Sequence, residues 1–251
     1  MLNILHLKRF ILICVLMAAV VGAKAQAGYN YYQFGWSLGA SYERGYTNVP
    51  KQNNNIAFQG SLIYNYNPYL PIELELQKGQ LSGGGLTVDR DRFGRKFINN
   101  FLALYVHADV QLGTFIDYDN DWFLNIAKGF YLGSGIGLVK NNNTVQRTNV
   151  LPQNGSLDYV FPGKDKSYNY AIPLRIGYEY QIFDSYDQPG YAIGIGYVHN
   201  LVFGEGLDGY DDPTSIFKNN ATNQYRQFTI TFKYFFGTTV SYNKLVKHYG
   251  F

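Results

Sequence analysis

The chain has 251 residues, 46% of them hydrophobic and 18% aromatic, with 24 Tyr, 18 Phe and 27 Gly but only one Cys and two Met. Its formal charge is +3, but three basic residues lie within the first 25 positions, so the remainder carries 18 basic and 18 acidic residues. With Cys14 as the single cysteine, that remainder excludes disulfides and cysteine–metal sites, and its neutrality gives no indication of a nucleic-acid partner.

The first 25 residues have the pattern of a secretory signal peptide. A basic pair precedes an apolar run from Phe10 to Val21, and Ala23 and Ala25 are the small residues that signal peptidase requires before its cleavage point. The alternative, a membrane anchor, needs roughly 20 apolar residues to span a bilayer as a helix, whereas this run has 12. We therefore predict that residues 1–25 are removed after export.

After residue 30, apolar and polar residues alternate in eight segments, which is the pattern of β-strands with one apolar face. In the clearest segment, the apolar set is aromatic at both ends and the other set is Gly, Ser, Gln and Glu. The predicted strands are Tyr32–Glu43, Ile56–Tyr66, Leu70–Gln77, Leu102–Gln111, Leu124–Val139, Tyr170–Ile182, Tyr191–Tyr197 and Phe228–Phe236. Their number is even, as single-chain bacterial barrels require.

These strands predict an all-β fold, an eight-stranded antiparallel up-and-down transmembrane β-barrel over residues 26–236. A soluble barrel would need the bulky apolar set inside and a face rich in Gly and Ser in water, which is unusual for a soluble surface. The predicted long connections are 44–55, 78–96, 140–167 and 204–223, and the short ones are 67–69, 113–121 and 183–190. Long loops belong outside the cell and short turns in the periplasm, so both termini are predicted to be periplasmic in the cell outer membrane of a Gram-negative cell.

The inward positions of these strands collect a charge network that we predict to plug the lumen. Its members are Glu73, Glu75, His107, Asp109, Arg175, Glu179 and Lys233. Because the interior of an eight-stranded barrel is just wide enough for side chains, we expect Arg175 and Lys233 to bridge the carboxylates. Phe101, Tyr105 and Tyr131 should fill space opposite the glycines of strands one, five and seven, which leaves no through-pore.

The clustered carboxylates beside His107 leave a general acid/base set or a metal site as an alternative. Packed polar lumens produce the same clustering for structural reasons, so we assign no catalytic, cofactor or metal residues. The predicted loop 78–96 carries a local charge of +3 and the loop 204–223 a local charge of −3. These two loops could pair across the mouth, or the first could bind lipopolysaccharide phosphates and Asp208–Asp212 could hold calcium, against the plainer alternative of solvated charge.

Several segments together resemble a known family. They are Ala23-Lys24-Ala25-Gln26, then Asn65–Tyr69 leading through Glu73-Leu74-Glu75 to Leu81–Gly84, and the aromatic strand Phe228–Phe236. The mature chain is similar to the eight-stranded outer-membrane β-barrel domain proteins common in Bacteroidetes and, more remotely, to the OmpX type and the transmembrane half of the OmpA type. The resemblance implies a porin-like family of outer-membrane proteins, many without an assigned activity, and some of the PorT type take part in protein secretion.

In such proteins the last strand ends in an aromatic residue that the barrel-assembly machinery recognises, and Tyr234 and Phe236 match that assembly signal. This chain departs from the pattern because it continues. Residues 237–251 are predicted to be a short periplasmic tail, too short for the peptidoglycan-binding domain of the OmpA type.

The predicted function is that of a non-enzymatic outer-membrane barrel whose long loops contact envelope or surface components. Its expected partners are outer-membrane lipid and lipopolysaccharide, the barrel-assembly machinery and other envelope proteins. One alternative is a lipid A modifying enzyme, for which His199 near the outer end of strand seven would need a serine and a carboxylate within hydrogen-bond reach. A second alternative is a PorT-like partner in protein secretion or envelope assembly.

Overall fold

The computed structural model describes residues 30–118, 121–151, 159–213 and 222–242. The predicted signal peptide 1–25 and residues 243–251 of the predicted tail lie outside the described residues. The strands are β1 Asn30–Tyr46, β2 Asn54–Asn67, β3 Leu70–Gly84, β4 Lys96–Gln111, β5 Phe130–Val145, β6 Lys166–Phe183, β7 Pro189–Val202 and β8 Gln224–Ser241. A 3-10 helix, Leu112–Thr114, and one α-helix, α1 Trp122–Ala127, lie between β4 and β5.

Each strand pairs with the next in an antiparallel ladder, and β8 pairs with β1, so the sheet closes into a barrel in simple chain order. This confirms the predicted fold class of eight antiparallel up-and-down strands. The connections 47–53, 85–95, 146–165 and 203–223 gather at one end, which we call the loop end. The connections 68–69, 112–129 and 184–188 gather at the other, which we call the turn end.

Side chains alternate between the two faces of this closed sheet as the sequence predicts. Phe58 and Leu62 of β2 are 66% and 65% exposed on the outer wall, whereas Gln59 and Ser61 between them are buried in the lumen. The antiparallel register places apolar residues opposite apolar residues, as where Leu62 lies opposite Leu74 of β3. The outer wall is therefore apolar, and the polar set is enclosed.

The predicted start of strand five is wrong, because residues 122–127 are helical. Asp121 is the N-cap of α1, and its carboxylate accepts hydrogen bonds from the backbone N–H groups of Phe123 (2.8 Å) and Leu124 (3.0 Å). An Asp at this position satisfies N–H groups that the first helical turn leaves unpaired. No helix among the described residues is long and apolar enough to cross a membrane.

Alternation through the predicted strand Leu124–Val139 would put Lys128 on its apolar face, and the helix removes that conflict. Lys128 is the C-cap of α1, outside β5. Its ammonium group lies over the rings of Tyr118 and Phe183, at 4.8 Å and 5.7 Å from their centroids. The lysine is thus held at the turn end by cation–π contacts.

Several strands run further toward the loop end than predicted, and inward asparagines explain the extension of β5 into the predicted loop 140–167. Asn99 Nδ2 donates to Asn141 Oδ1 (2.7 Å), and Asn141 Nδ2 donates to Asn169 Oδ1 (2.8 Å), so one polar row joins β4, β5 and β6. Asparagine is depleted in strands and common in turns, which is why this segment reads as a loop. Side-chain hydrogen bonds between neighbouring strands, on the lumen side of the sheet, override that propensity.

β8 also continues past Phe236, so the predicted barrel boundary at residue 236 is too early. The added residues pair with the start of β1, from Tyr32 opposite Thr239 to Asn30 opposite Ser241. The β1–β8 register shifts between Tyr32 and Phe34 of β1, and Gly237 lies on β8 at this bulge. Its φ of +92° is a conformation that favours glycine. The bulge lets the strand continue rather than end.

The apolar wall predicts a depth-dependent cost for charge. Leu74→Arg, in the middle of the apolar stretch of β3, should lower the free energy of unfolding in lipid vesicles by about 2 to 4 kcal/mol. Gln80→Arg, on the same face of the same strand but near the loop end, should cost about 0 to 1 kcal/mol. Urea titrations in vesicles measure both values, and equal costs at the two positions would contradict the assigned wall.

Candidate functional site

The lumen contains all seven predicted charged residues as one buried cluster. Their relative exposures are 7% or less, although four carboxylates face two permanent cations and one histidine. The strands bring them together from β3, β4, β6 and β8. Burial of this kind requires that each charge be paired or hydrogen-bonded.

Lys233 of β8 joins two strands that are not its neighbours. Its Nζ lies 2.6 Å from Glu73 Oε1 of β3 and 2.6 Å from Glu179 Oε2 of β6. The other oxygens of these carboxylates are also satisfied, because Ser61 Oγ donates to Glu73 Oε2 at 2.5 Å and Gln111 Nε2 donates to Glu179 Oε1 at 3.0 Å. The two carboxylates therefore share one cation, as the sequence analysis expected.

Arg175 of β6 pairs with Asp109 of β4 across an intervening strand. Its Nε donates to Asp109 Oδ1 at 2.9 Å, and its Nη1 lies 3.8 Å from Glu75 Oε2. Gly133 of β5 lies between them in register, opposite Asp109 on one side and Arg175 on the other. A Cβ on Gly133 would collide with the Asp109 carboxylate, so the absent side chain makes the ion pair possible.

His107 lies between the carboxylates of Glu75 and Asp109. Its Nε2 is 3.7 Å from Glu75 Oε2, and its Nδ1 is 3.6 Å from Asp109 Oδ1. Both distances exceed hydrogen-bond length, so these contacts are electrostatic. No group of three or more His, Cys, Asp or Glu in the described part of the chain is arranged to hold a metal ion.

Aromatic side chains fill the lumen on both sides of the charge cluster. Toward the loop end, the hydroxyls of Tyr105 and Tyr225 are 2.5 Å apart, and the Phe101 ring lies 5.4 Å from that of Tyr225. Tyr105 packs against Gly137 of β5, and the Tyr131 hydroxyl packs against Gly196 of β7, as predicted. The predicted set does not reach strand one, because Gly35 of β1 faces the Phe235 ring instead.

The loop end carries an ordered cap that ties four connections together. Arg95 donates to Asp91 Oδ1 (3.3 Å) and Oδ2 (3.0 Å), to Asp212 Oδ2 (3.0 Å) and to the Asn48 carbonyl (3.3 Å). Tyr210 Oη lies 2.8 Å from the carbonyl oxygen of Gln146 and 3.1 Å from that of Lys96. Of the alternatives for the two charged loops, pairing of the basic loop with the acidic loop is present as the Arg95–Asp212 ion pair, rather than solvated charge at these two residues.

Two carboxylates in this cap are buried outside the strands. Burial raises the pKa of Asp212, and the attraction of Arg95 offsets only part of that effect. Burial also raises the pKa of Asp208, although the Tyr210 N–H donates to its Oδ1 at 3.0 Å. Both acids are buried within the cap.

His199, the candidate base of the enzyme alternative, lies on the outer wall. Its Nε2 is 2.9 Å from Gln224 Oε1, and its Nδ1 is 3.3 Å from Tyr197 Oη. Within the described residues, no serine or carboxylate is in hydrogen-bond contact with it. The Ser–His–acid arrangement that the alternative needs is therefore not formed there.

Tyr234 and Phe236, the predicted assembly signal, both face outward near the turn end. Their rings are stacked, with centroids 5.9 Å apart, and Tyr234 also contacts the Trp36 ring at 6.0 Å. They do not end the strand, which runs on to Ser241. Their role in assembly stays a prediction.

These observations define a class of protein: a closed, eight-stranded, up-and-down antiparallel barrel with an apolar outer wall and a polar lumen. No protein-family model and no curated protein matches the chain. Similar solved structures include Neisserial surface protein A (NspA), at 12% identity and a TM-score of 0.43 over 81% of this chain and 97% of that chain. Another is Ail of Yersinia pestis in complex with the heparin analogue sucrose octasulfate, at 11% identity and a TM-score of 0.42 over 84% of this chain and 100% of that chain.

A third similar structure is CarO of Acinetobacter baumannii, at 14% identity and a TM-score of 0.40 over 79% of this chain and 97% of that chain. Likenesses of this strength carry no argument about function. The assignment of a closed barrel rests instead on the strand pairing of this chain, which closes between β1 and β8.

Sequence reasoning missed the tyrosine cluster that fills the turn end. Tyr31, Tyr69, Tyr118 and Tyr242 are buried together, and the Tyr69 ring lies 5.7 Å from Tyr118 and 5.8 Å from Tyr242. These residues come from β1, two turns and the chain beyond β8, so no local periodicity joins them. Only the closed topology brings them together.

Loss of the shared cation should be costly. Lys233→Met leaves Glu73 and Glu179 buried without their partner, so we expect the free energy of unfolding to fall by about 3 to 5 kcal/mol. The control Lys166→Met makes the same chemical change at an exposed position and should stay within about 0.5 kcal/mol. Urea titration in vesicles measures both, and an equally small effect at the two lysines would contradict the buried network.

Proposed function

We propose that the chain is an integral outer-membrane protein: a closed barrel that spans the membrane, keeps its lumen shut and carries an ordered cap outside the cell. One observation carries the proposal. Around the described ring the outer wall is apolar, whereas all strand carboxylates are buried inside. Only a closed barrel satisfies every backbone hydrogen bond of strands that cross hydrocarbon.

Exposed side chains on the wall argue against a water-soluble barrel. Ile136 and Tyr170 are 71% and 75% exposed, and large apolar residues line every strand in the same way. Soluble monomers rarely expose contiguous apolar patches beyond a few hundred Å². A wall of this kind is stable against lipid chains, because its apolar side chains are not exposed to water there.

The orientation follows from the connections. Barrels of the bacterial outer membrane place long loops outside the cell and short turns in the periplasm. On that basis the cap is extracellular, and Asn30 and Ser241, which pair at the turn end, put both ends of the barrel in the periplasm. The ion pairs and tyrosine rings that occupy the lumen at successive depths support a lumen without a wide passage.

The function of such a protein would be to display surface residues of its cap on a rigid scaffold. The cap joins four connections through Arg95 and Tyr210, so surface residues around it have fixed positions. Outer-membrane lipid and lipopolysaccharide would surround the wall, the barrel-assembly machinery would insert it, and other envelope proteins are the candidates to contact the cap. A secretion role of the PorT type and the wider Bacteroidetes resemblance stay hypotheses that no contact among the described residues favours.

The location and orientation can be tested by cysteine labelling, because Cys14 is the only cysteine in the sequence and lies in the predicted signal peptide. Lys164→Cys, in the connection between β5 and β6, should react with a membrane-impermeant maleimide on intact cells. Tyr186→Cys, 78% exposed at the turn end, should react only after the outer membrane is opened. Labelling of both positions on intact cells, or of neither, would refute the orientation.

A closed lumen predicts that the purified protein gives no steady conductance in a planar bilayer. Removing two lumen rings, in the double variant Tyr105→Ala and Tyr131→Ala, should open an ion leak because both hydroxyphenyl groups fill the cross-section. The double variant Tyr170→Ala and Tyr180→Ala removes the same groups from the outer wall and should stay silent. A large ungated conductance from the unmodified protein would rule out the closed lumen.

A further inference from the structure

Basic side chains on the outer wall lie at the loop end. The described strands place six Lys or Arg residues on the outward parity, and no Asp or Glu. Among the described residues none of the six forms an ion pair with a carboxylate, and the ion pairs there belong to the cap, to the lumen and to Arg147 with Asp165. The six are Arg44, Lys78, Lys96, Lys140, Lys166 and Arg226.

Two of these cations are direct neighbours. Arg44 of β1 and Arg226 of β8 are paired in register, and His199 of β7 is paired with Arg226 on its other side. Like charges directly opposite in a sheet are unfavourable. Arg44 Nε is also buried without a hydrogen-bond partner. Arg44, Arg226 and His199 therefore form a row of basic side chains with no carboxylate paired to it among the described residues.

Nearby groups orient this row without neutralising it. The Arg226 guanidinium lies over the Tyr46 ring at 5.0 Å from its centroid, which holds it on the side of β1. Gln224 Oε1, the oxygen of a neutral amide, lies 2.9 Å from His199 Nε2. The undescribed residues 214–221 of the connection 203–223 contain no acid in their sequence.

The depth of the row matches a lipid headgroup. The next row toward the turn end consists of Tyr42, Phe228 and Tyr197, all facing outward, and the rings of Phe228 and Tyr197 are 5.2 Å apart. Aromatic belts mark the membrane–water interface. Below them, Ala40 and Ile230 continue the apolar wall. The two arginines thus lie just above the hydrocarbon, where phosphate groups are found.

Two arginines of the connection 85–95 are already engaged by other groups. Arg95 is held by Asp91 and Asp212, and Arg90 donates to the Gly84 carbonyl at 3.1 Å and to the Asn53 side chain. The unpaired charge therefore lies on the wall rather than in that loop.

We propose that Arg44, Arg226 and His199 form a binding site on the outer wall for the phosphate group of a phosphorylated glycolipid, the lipopolysaccharide headgroup of the outer leaflet. The two guanidinium groups supply fork-shaped donors that match phosphate oxygens, and His199 borders the same surface. This site rests on the proposed function, because the loop end must face the outer leaflet.

The test is an equilibrium binding titration of phosphorylated lipid A into the folded protein in zwitterionic micelles. The double variant Arg44→Gln and Arg226→Gln should bind about tenfold more weakly or worse, since two charge-assisted contacts are lost. The double variant Lys51→Gln and Lys164→Gln removes the same charge from exposed loop positions and should bind as the unmodified protein does. Circular dichroism establishes that each variant is folded.

Three results would overturn the site while leaving the barrel in the membrane: equal binding by the arginine variant, equal binding of a dephosphorylated glycolipid, or displacement of lipid A by inorganic phosphate at matched concentration. The last would identify a site for free anions. Failure of the unmodified protein to insert into lipid vesicles is a different result, because it would remove the proposed function itself.

Discussion

Closure of the ladder between β1 and β8 is the constraint on which the other features depend. It leaves no free sheet edge, and it makes side-chain parity continuous around the ring. The register shifts in the ladders lie between Tyr32 and Phe34, between Asn65 and Asn67, and between Ile182 and Phe183. All three are at the turn end, so parity is unbroken through the apolar wall. A one-residue slip there would move the lumen charges to the apolar outer wall.

The lumen charges connect strands that the ladder does not. Lys233 of β8 contacts β3 and β6, and Arg175 of β6 contacts β4 and β3. Buried ion pairs add little net stability because desolvation offsets their attraction. What they add here is a set of cross-lumen contacts that depend on the register of several strands at once, and Gly133 supplies the space for one of them.

Sequence alone was sufficient where one local period decides the outcome, and insufficient where distant residues decide it. Parity put Lys233 and Asp109 in the lumen and Leu74 on the wall. Asn141 was assigned to a loop from its propensity, because its partners Asn99 and Asn169 are distant in the chain. The same limit applies to the cap, where complementary loop charges were visible but the particular ion pair, 117 residues apart, was not.

A neutral composition conceals a separation of charge in this barrel. The strand acids all face the lumen, where they outnumber their permanent cations, while the outward strand charges are all basic and lie at the loop end. The sheet itself keeps the two populations apart, so they cannot neutralise each other at short range. The wall around the mouth is therefore basic even though residues 26–251 carry equal numbers of basic and acidic residues. Net charge alone is a poor guide to the partners of a closed barrel, because parity decides which charges meet the surroundings.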